Sequence, residues 1–168
     1  ERIADPGIAA AIWRRPRDPD LGGWLDALPP AQLPRLRQAL DLADVASSVQ
    51  AACVLAGLAA PAVTALAEDV AALARRFGAI MAAPRVHLRL DVIQHNACHK
   101  FHCDRVVARL LCSYRGQGTE FGPAKAAGEV CGLNQLATHE AAIFRGTLWP
   151  GEDCGLLHRS PPIAGTGE

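Results

Sequence analysis

The hydrophobic periodicity of this chain changes near Pro84, and this change limits the fold more than any other feature of the sequence. Before it, apolar residues recur at steps of three and four and predict one amphipathic helix: Val63, Leu66, Val70, Leu73, Phe77 and Ile80. After it, apolar and polar residues alternate from Arg85 to Val92, which predicts a β-strand with one polar face. A chain that passes from helical to strand periodicity is expected to belong to the α+β class.

The change of period divides the chain into three predicted segments, 1–19, 20–84 and 85–168. The first carries prolines and charged residues and is expected to be an extended arm. The second is expected to be helical throughout, with one helix from Ala31 to Leu42, and to form a layer over a sheet. The third has short strands, one of them from His102 to Tyr114, between loops rich in glycine and proline, which is typical of an antiparallel sandwich or barrel. The last two segments are expected to fold as one domain.

Charge and cysteine usage restrict the expected partners and compartment. The 17 basic and 17 acidic residues cancel, so no overall field favours nucleic acid or an anionic membrane as a partner. The most apolar stretch, Val45 to Ala67, contains Gln50 and Pro61 and is not expected to span a membrane. The six cysteines are dispersed along a chain long enough for its own core, so we expect reduced thiols and a cytoplasmic protein.

Candidate metal ligands crowd the start of the strand predicted after residue 101. His102 and Asp104 are one residue apart, so on a strand both would face the same side, about 6.5 Å apart at ~3.3 Å per residue. A third ligand must come from elsewhere, and His158 is the best candidate. Two histidines and one carboxylate leave coordination positions open, which suits Fe(II) and oxygen chemistry. Cys98 would instead close the set for Zn2+, or it is a buried thiol, and the sequence leaves both open.

Four stretches of sequence carry a resemblance to a known family: FHCD, GQGTEF, FRGTLWPG and HRSPP. Over residues 20–168 the chain resembles an uncharacterised bacterial family, domain of unknown function 1826, whose members are often encoded near zinc-homeostasis GTPases. More distantly it is similar to the Fe(II)/2-oxoglutarate oxygenases. This resemblance implies a small antiparallel double-stranded β-helix, a cupin-like barrel, under the helical layer. The two resemblances together imply metal roles for His102, Asp104 and His158, and the bacterial family alone implies a metal-homeostasis protein as a partner.

The oxygenase resemblance also raises the question of what holds the cosubstrate. Those enzymes usually anchor 2-oxoglutarate with Arg or Lys about ten residues beyond the distal His, and the printed sequence ends at Glu168, ten residues after His158, so we expect the anchor to be missing or to lie beyond this end. Arg159, Arg109, Tyr114 and Thr119 are the alternatives, although strand parity would turn Arg109 away from the ligands unless a bulge intervenes. The leading expectation is an oxygenase-like protein that acts on a small molecule of unknown identity. The alternative is a non-catalytic zinc-binding protein linked to metal homeostasis.

Overall fold

The chain forms two compact units, which we describe separately in a computed structural model. One unit comprises Glu1–Arg17 and Gln94–Glu168, and the other comprises Asp18–Ile93. The structure describes residues 2–59, 61–96, 98–151 and 155–165. Cys154, a thiol that the sequence predicts to be reduced, lies outside these residues. Helices and small antiparallel sheets occur together, which confirms the α+β class.

The described elements are three α-helices and eight β-strands. The helices are α1 (Pro19–Ala27), α2 (Val45–Leu55) and α3 (Pro61–Met81). The strands are β1 (Ala10–Trp13), β2 (Leu36–Asp41), β3 (Arg85–Leu90), β4 (Ala108–Cys112), β5 (Glu120–Pro123), β6 (Asn134–Gln135), β7 (Ala141–Arg145) and β8 (Leu156–Arg159). None of the helices in the described part of the chain is both long and apolar enough to cross a membrane.

The unit formed by Asp18–Ile93 packs α3 against α2 and beside the β2–β3 pair. The Asp18 carboxylate caps the N-terminus of α1 by accepting hydrogen bonds from the backbone N–H groups of Asp20 and Leu21. The predicted apolar stripe of α3 is confirmed for its first four members, which are buried: Val63, Leu66, Val70 and Leu73. Its last two members, Phe77 and Ile80, are half-buried.

One helix predicted in this unit is wrong. The stretch Ala31–Leu42 contains a short 3-10 turn and then strand β2, which pairs with β3 in antiparallel register from Leu36↔Leu90 to Asp41↔Arg85. Its leucines, arginines and glutamine favour a helix locally, but backbone pairing with β3 overrides that propensity. The predicted helical segment is therefore a mixture of helices and one strand.

The unit that contains both ends of the chain has two three-stranded sheets, with strand orders β1-β7-β4 and β6-β5-β8. Its core joins the two sheets through four buried side chains: Phe121, Leu136, Ala142 and Phe144. Part of the predicted arm is strand β1, which pairs with β7, so it belongs to a sheet. The described strands form open sheets and not a closed barrel, and the cupin-like arrangement stays a prediction.

Candidate metal centre

Two distant segments meet at a single antiparallel bridge between His102 and His158. Each backbone N–H donates to the carbonyl of the other residue, with both N···O distances at 3.0 Å. His158 lies in β8, whereas His102 lies outside regular structure, and the chain bends at 105–107 before β4 begins. The strand predicted to begin at His102 is therefore wrong for 102–107. Nevertheless, the bridge gives His102 a fixed position beside His158.

Asp104 is positioned by the backbone that follows β7. The N–H of Thr147 donates to the carbonyl of Asp104 at 2.8 Å, and the N–H of Leu148 donates to that of Val106 at 3.1 Å. Gly146 allows this approach because a Cβ there would lie 2.0 Å from the Val106 oxygen and 2.7 Å from the Asp104 oxygen. The Arg-Gly pair at the end of β7 thus fixes the turn that carries Asp104.

The three predicted ligands converge within this unit. One ligand atom from each of His102, Asp104 and His158 lies within 4.8 Å of the others. The Asp104 carboxylate is 3.0 Å from His158 Nε2 through Oδ2 and 3.6 Å from His102 Nε2 through Oδ1. The side chains of His102, Asp104 and His158 are 35%, 12% and 6% exposed, so His102 forms the accessible side of the triad.

Neighbouring groups hold the two imidazole rings. His102 Nδ1 lies 2.8 Å from the carbonyl of Lys100, which accepts its proton and leaves Nε2 directed to the triad. The His158 ring packs on Phe144, with 4.9 Å between ring centroids, and Phe144 in turn contacts Phe121 edge to face. Sequence reasoning missed this aromatic support. The only sequence signal for Phe144 was the apolar strand ending in Arg-Gly. That strand does not show that Phe144 lies beside His158.

Arg109 also reaches the triad, contrary to the parity argument. That argument assumed a continuous strand from His102, but the bend at 105–107 resets the alternation. Arg109 lies opposite Phe144 in the β4–β7 register, and its Nη1 is 3.1 Å from Asp104 Oδ1. Burial raises the pKa of Asp104, but the hydrogen bond from His158 and the charge of Arg109 outweigh it and leave the pKa below its ordinary value.

The other predicted site residues occupy different places. Cys98 is exposed, has a positive φ of 53°, and is outside the set of atoms that could share one ion. Arg159 binds Glu120, with 2.6 Å between Nε and Oε2. Tyr114 contacts the His139 ring edge to face, and the Thr119 carbonyl accepts a hydrogen bond from the Leu136 N–H. A cosubstrate role for Arg159, Tyr114 or Thr119 stays a prediction.

These features define an α+β protein with a candidate metal centre of two histidines and one aspartate. The family model described as "Protein of unknown function (DUF1826)" matches residues 1–168, so the chain belongs to that family over its whole printed length. The match extends the expected one, which began at residue 20. Comparison with curated proteins and with solved structures gave no match. The comparisons therefore give no support to the more distant oxygenase resemblance.

Proposed function

We propose that the triad binds one divalent transition-metal ion, Fe(II) in the leading form of the proposal, for oxygenase-type chemistry on a small molecule. The observation that carries this is the convergence of three ligand atoms from two distant segments within 4.8 Å. Two ligands about 2.1 Å from one ion, at right or tetrahedral angles, are roughly 3.0–3.4 Å apart. The 3.0 Å separation falls in this range and the 3.6 Å separation is slightly longer, and the three atoms, which lie within 4.8 Å of one another, would move closer by side-chain rotation when an ion binds.

The chain's own groups have distinct roles in this proposal. The Lys100 carbonyl keeps the proton of His102 on Nδ1, so Nε2 can donate its lone pair to the ion. His158 Nε2 faces Asp104 and would hold the ion in the tautomer that carries its proton on Nδ1. Phe144 excludes water from the back of the His158 ring. Fe(II) held by these residues would supply open positions for O2 and a substrate.

An apolar groove on the same face of β8 is the place we propose for the substrate. The groove holds about 370 Å3, and Ala10, Ile12, Phe121 and Leu156 line it. Leu156 precedes His158 by two residues, so the two side chains share one face of the strand. An apolar small molecule in this groove would contact Leu156, two residues along β8 from His158, and 2-oxoglutarate is the candidate cosubstrate.

The second candidate is a non-catalytic zinc protein that exchanges metal with a homeostasis partner. Cys98 supports it because its carbonyl accepts a hydrogen bond from Ser160 at 3.1 Å, which holds the thiol-bearing segment beside β8. A movement of this exposed segment would add a thiolate and complete a tetrahedral zinc site. The described cysteines are thiols, which supports the proposed cytoplasmic location for either candidate.

Metal analysis of protein purified without oxygen tests the shared part of the proposal. We expect one ion per chain, lost in His102→Ala and retained in the matched control His95→Ala, an exposed histidine outside the triad. Metal binding by His102→Ala at the wild-type level would refute the triad.

A cysteine substitution separates the two candidates. The open site predicts that Cys98→Ser binds metal as the wild type does, and that the Fe(II) form consumes O2 with 2-oxoglutarate. The closed site predicts that Cys98→Ser weakens zinc binding severely, because a hydroxyl is a poor ligand for Zn2+. Cys131→Ser removes another exposed thiol and is the matched control.

A further inference from the structure

A row of three side chains crosses the face of β8 opposite to the triad. His158 and Arg159 are consecutive in β8, so they point to opposite sides of the sheet. On the Arg159 side, Glu120 is its register partner in β5, with 2.6 Å between Glu120 Oε2 and Arg159 Nε. The guanidinium of Arg159 also lies over the ring of Phe101, 4.3 Å from its centroid. Phe101 immediately precedes the ligand His102.

These contacts act on the segment that carries His102, the most exposed residue of the triad. Asp104 is held by three backbone hydrogen bonds around its turn, and His158 lies in a strand. His102 is outside any strand and its side chain is 35% exposed. Arg159 binds the segment before it twice, through the Phe101 ring and through Nη1, which donates to the carbonyl of His99 at 3.4 Å.

We propose that Arg159 is a positioning residue for metal binding, which acts through Phe101 to set the place of His102. Glu120 orients the guanidinium, and both partners are mostly buried, with 25% and 13% of their side chains exposed. A planar guanidinium can bind a carboxylate at its edge while it stacks on an aromatic ring, and a lysine cannot do both. The inference rests on the proposed metal function of the triad.

Paired substitutions test this role without leaving a buried charge alone. In Arg159→Gln with Glu120→Gln, both charges are removed together, so neither remains unpaired. We expect the variant to bind Zn2+ about 10–100-fold more weakly than wild type, the range typical for residues that orient metal ligands. The matched control is Arg85→Gln with Asp41→Asn, a cross-strand ion pair in the other unit, with 3.0 Å between Nε and Oδ1. The control should bind Zn2+ as the wild type does.

A second pair of variants distinguishes positioning from plain stability. Phe101→Leu should also weaken Zn2+ binding. Arg159→Lys should have an affinity for Zn2+ between those of the double Gln variant and wild type, because lysine keeps the charge but not the planar group that stacks on Phe101. Wild-type Zn2+ affinity in Arg159→Lys would overturn the stacking role. The unfolding midpoint of the metal-free proteins is measured alongside, and a drop in midpoint with unchanged Zn2+ affinity would reduce Arg159 to a structural residue and overturn the proposal.

Hydrogen exchange of the metal-free protein separates failure of this inference from failure of the metal function. The His102 N–H donates to His158, so its exchange reports how firmly the segment is held. If wild type binds no metal, the proposed function fails. The positioning role of Arg159 is then supported by faster exchange of the His102 N–H in the double Gln variant and refuted by unchanged exchange.

Discussion

Gly146→Ala should disturb the candidate centre although Gly146 is not itself a ligand. An added Cβ would lie 2.0 Å from the Val106 oxygen and 2.7 Å from the Asp104 oxygen. Both neighbours are backbone atoms, so no side-chain rotation can relieve the overlap. Since contacts of a Cβ under 3.0 Å are essentially never seen, the two segments must separate by about 1 Å.

The expected loss of stability follows from the hydrogen bonds that hold these two segments together. Three backbone bonds join them: Gly146 N–H to Val107 O at 2.9 Å, Thr147 N–H to Asp104 O at 2.8 Å, and Leu148 N–H to Val106 O at 3.1 Å. Each backbone bond contributes about 1 kcal/mol net, so their loss lowers the free energy of unfolding by about 3 kcal/mol. Metal affinity should fall as well, because the displaced turn carries the Asp104 carboxylate.

Urea unfolding and Zn2+ titration of the same samples check both effects. The matched control is Gly23→Ala, a glycine in α1 where an added Cβ meets nothing within 4 Å. It should stabilise the protein by up to about 1 kcal/mol, since alanine favours a helix over glycine. A Gly146→Ala protein with wild-type stability and wild-type metal affinity would refute the argument that this close approach positions Asp104.

Three further predictions address stability. Leu66→Ala leaves a cavity at a buried position of α3 and should lower the free energy of unfolding by about 2–5 kcal/mol in a urea titration. The folded variant should keep the wild-type metal stoichiometry, because the triad lies in the other unit. Arg145→Met removes the hydrogen bonds that the buried guanidinium donates to the carbonyls of Ile3 and Asp5, so limited proteolysis should cut the first ten residues faster than in wild type. The lowered pKa of Asp104 stabilises the metal-free protein above the ordinary pKa of an aspartate, about 3.9, and this contribution is lost as the pH falls through the folded-state pKa. The stability difference between wild type and Asp104→Asn should therefore shrink below about pH 4; a difference that is constant with pH would contradict the ionic origin.

The elements that could be predicted from the sequence are those with a strong local signal. The stripe from Val63 to Leu73 and the alternation from Arg85 give the correct types for α3 and β3 because burial of one face imposes the period. Strand β2 could not be recognised in the same way. Its pairing partner lies beyond two helices in the chain, and its composition favours a helix.

The candidate ligands could be found from local sequence patterns, whereas the residues that hold them in place could not. His102 and Asp104 could be paired by their spacing, and the family motif indicates His158. The strand-parity argument, however, paired His102 with Asp104 through a continuous strand, whereas the strand begins only at Ala108, and for the same reason it misplaced Arg109. The contacts that fix the site involve Arg109 in β4, Phe144 in β7 and Gly146 directly after β7, and no local pattern relates them to His102.

The contacts of Asp104 also bear on how much the protein must rearrange when an ion binds. The carboxylate faces His158 through one oxygen, and His102 and Arg109 through the other. These neighbours keep it ionised, so a metal ion does not have to displace a proton from it. The backbone bridge and the turn at Gly146 hold the segments that bring the three ligand atoms within 4.8 Å of one another. Under the proposed function, an ion would require His158 Nε2 without its proton, release of the Arg109 contact with Asp104, and closer approach of the three ligand atoms, all of which are side-chain changes. Because the backbone holds the three residues together in the folded chain, variants that loosen the backbone, such as Gly146→Ala, should weaken metal binding even though all three residues are still present.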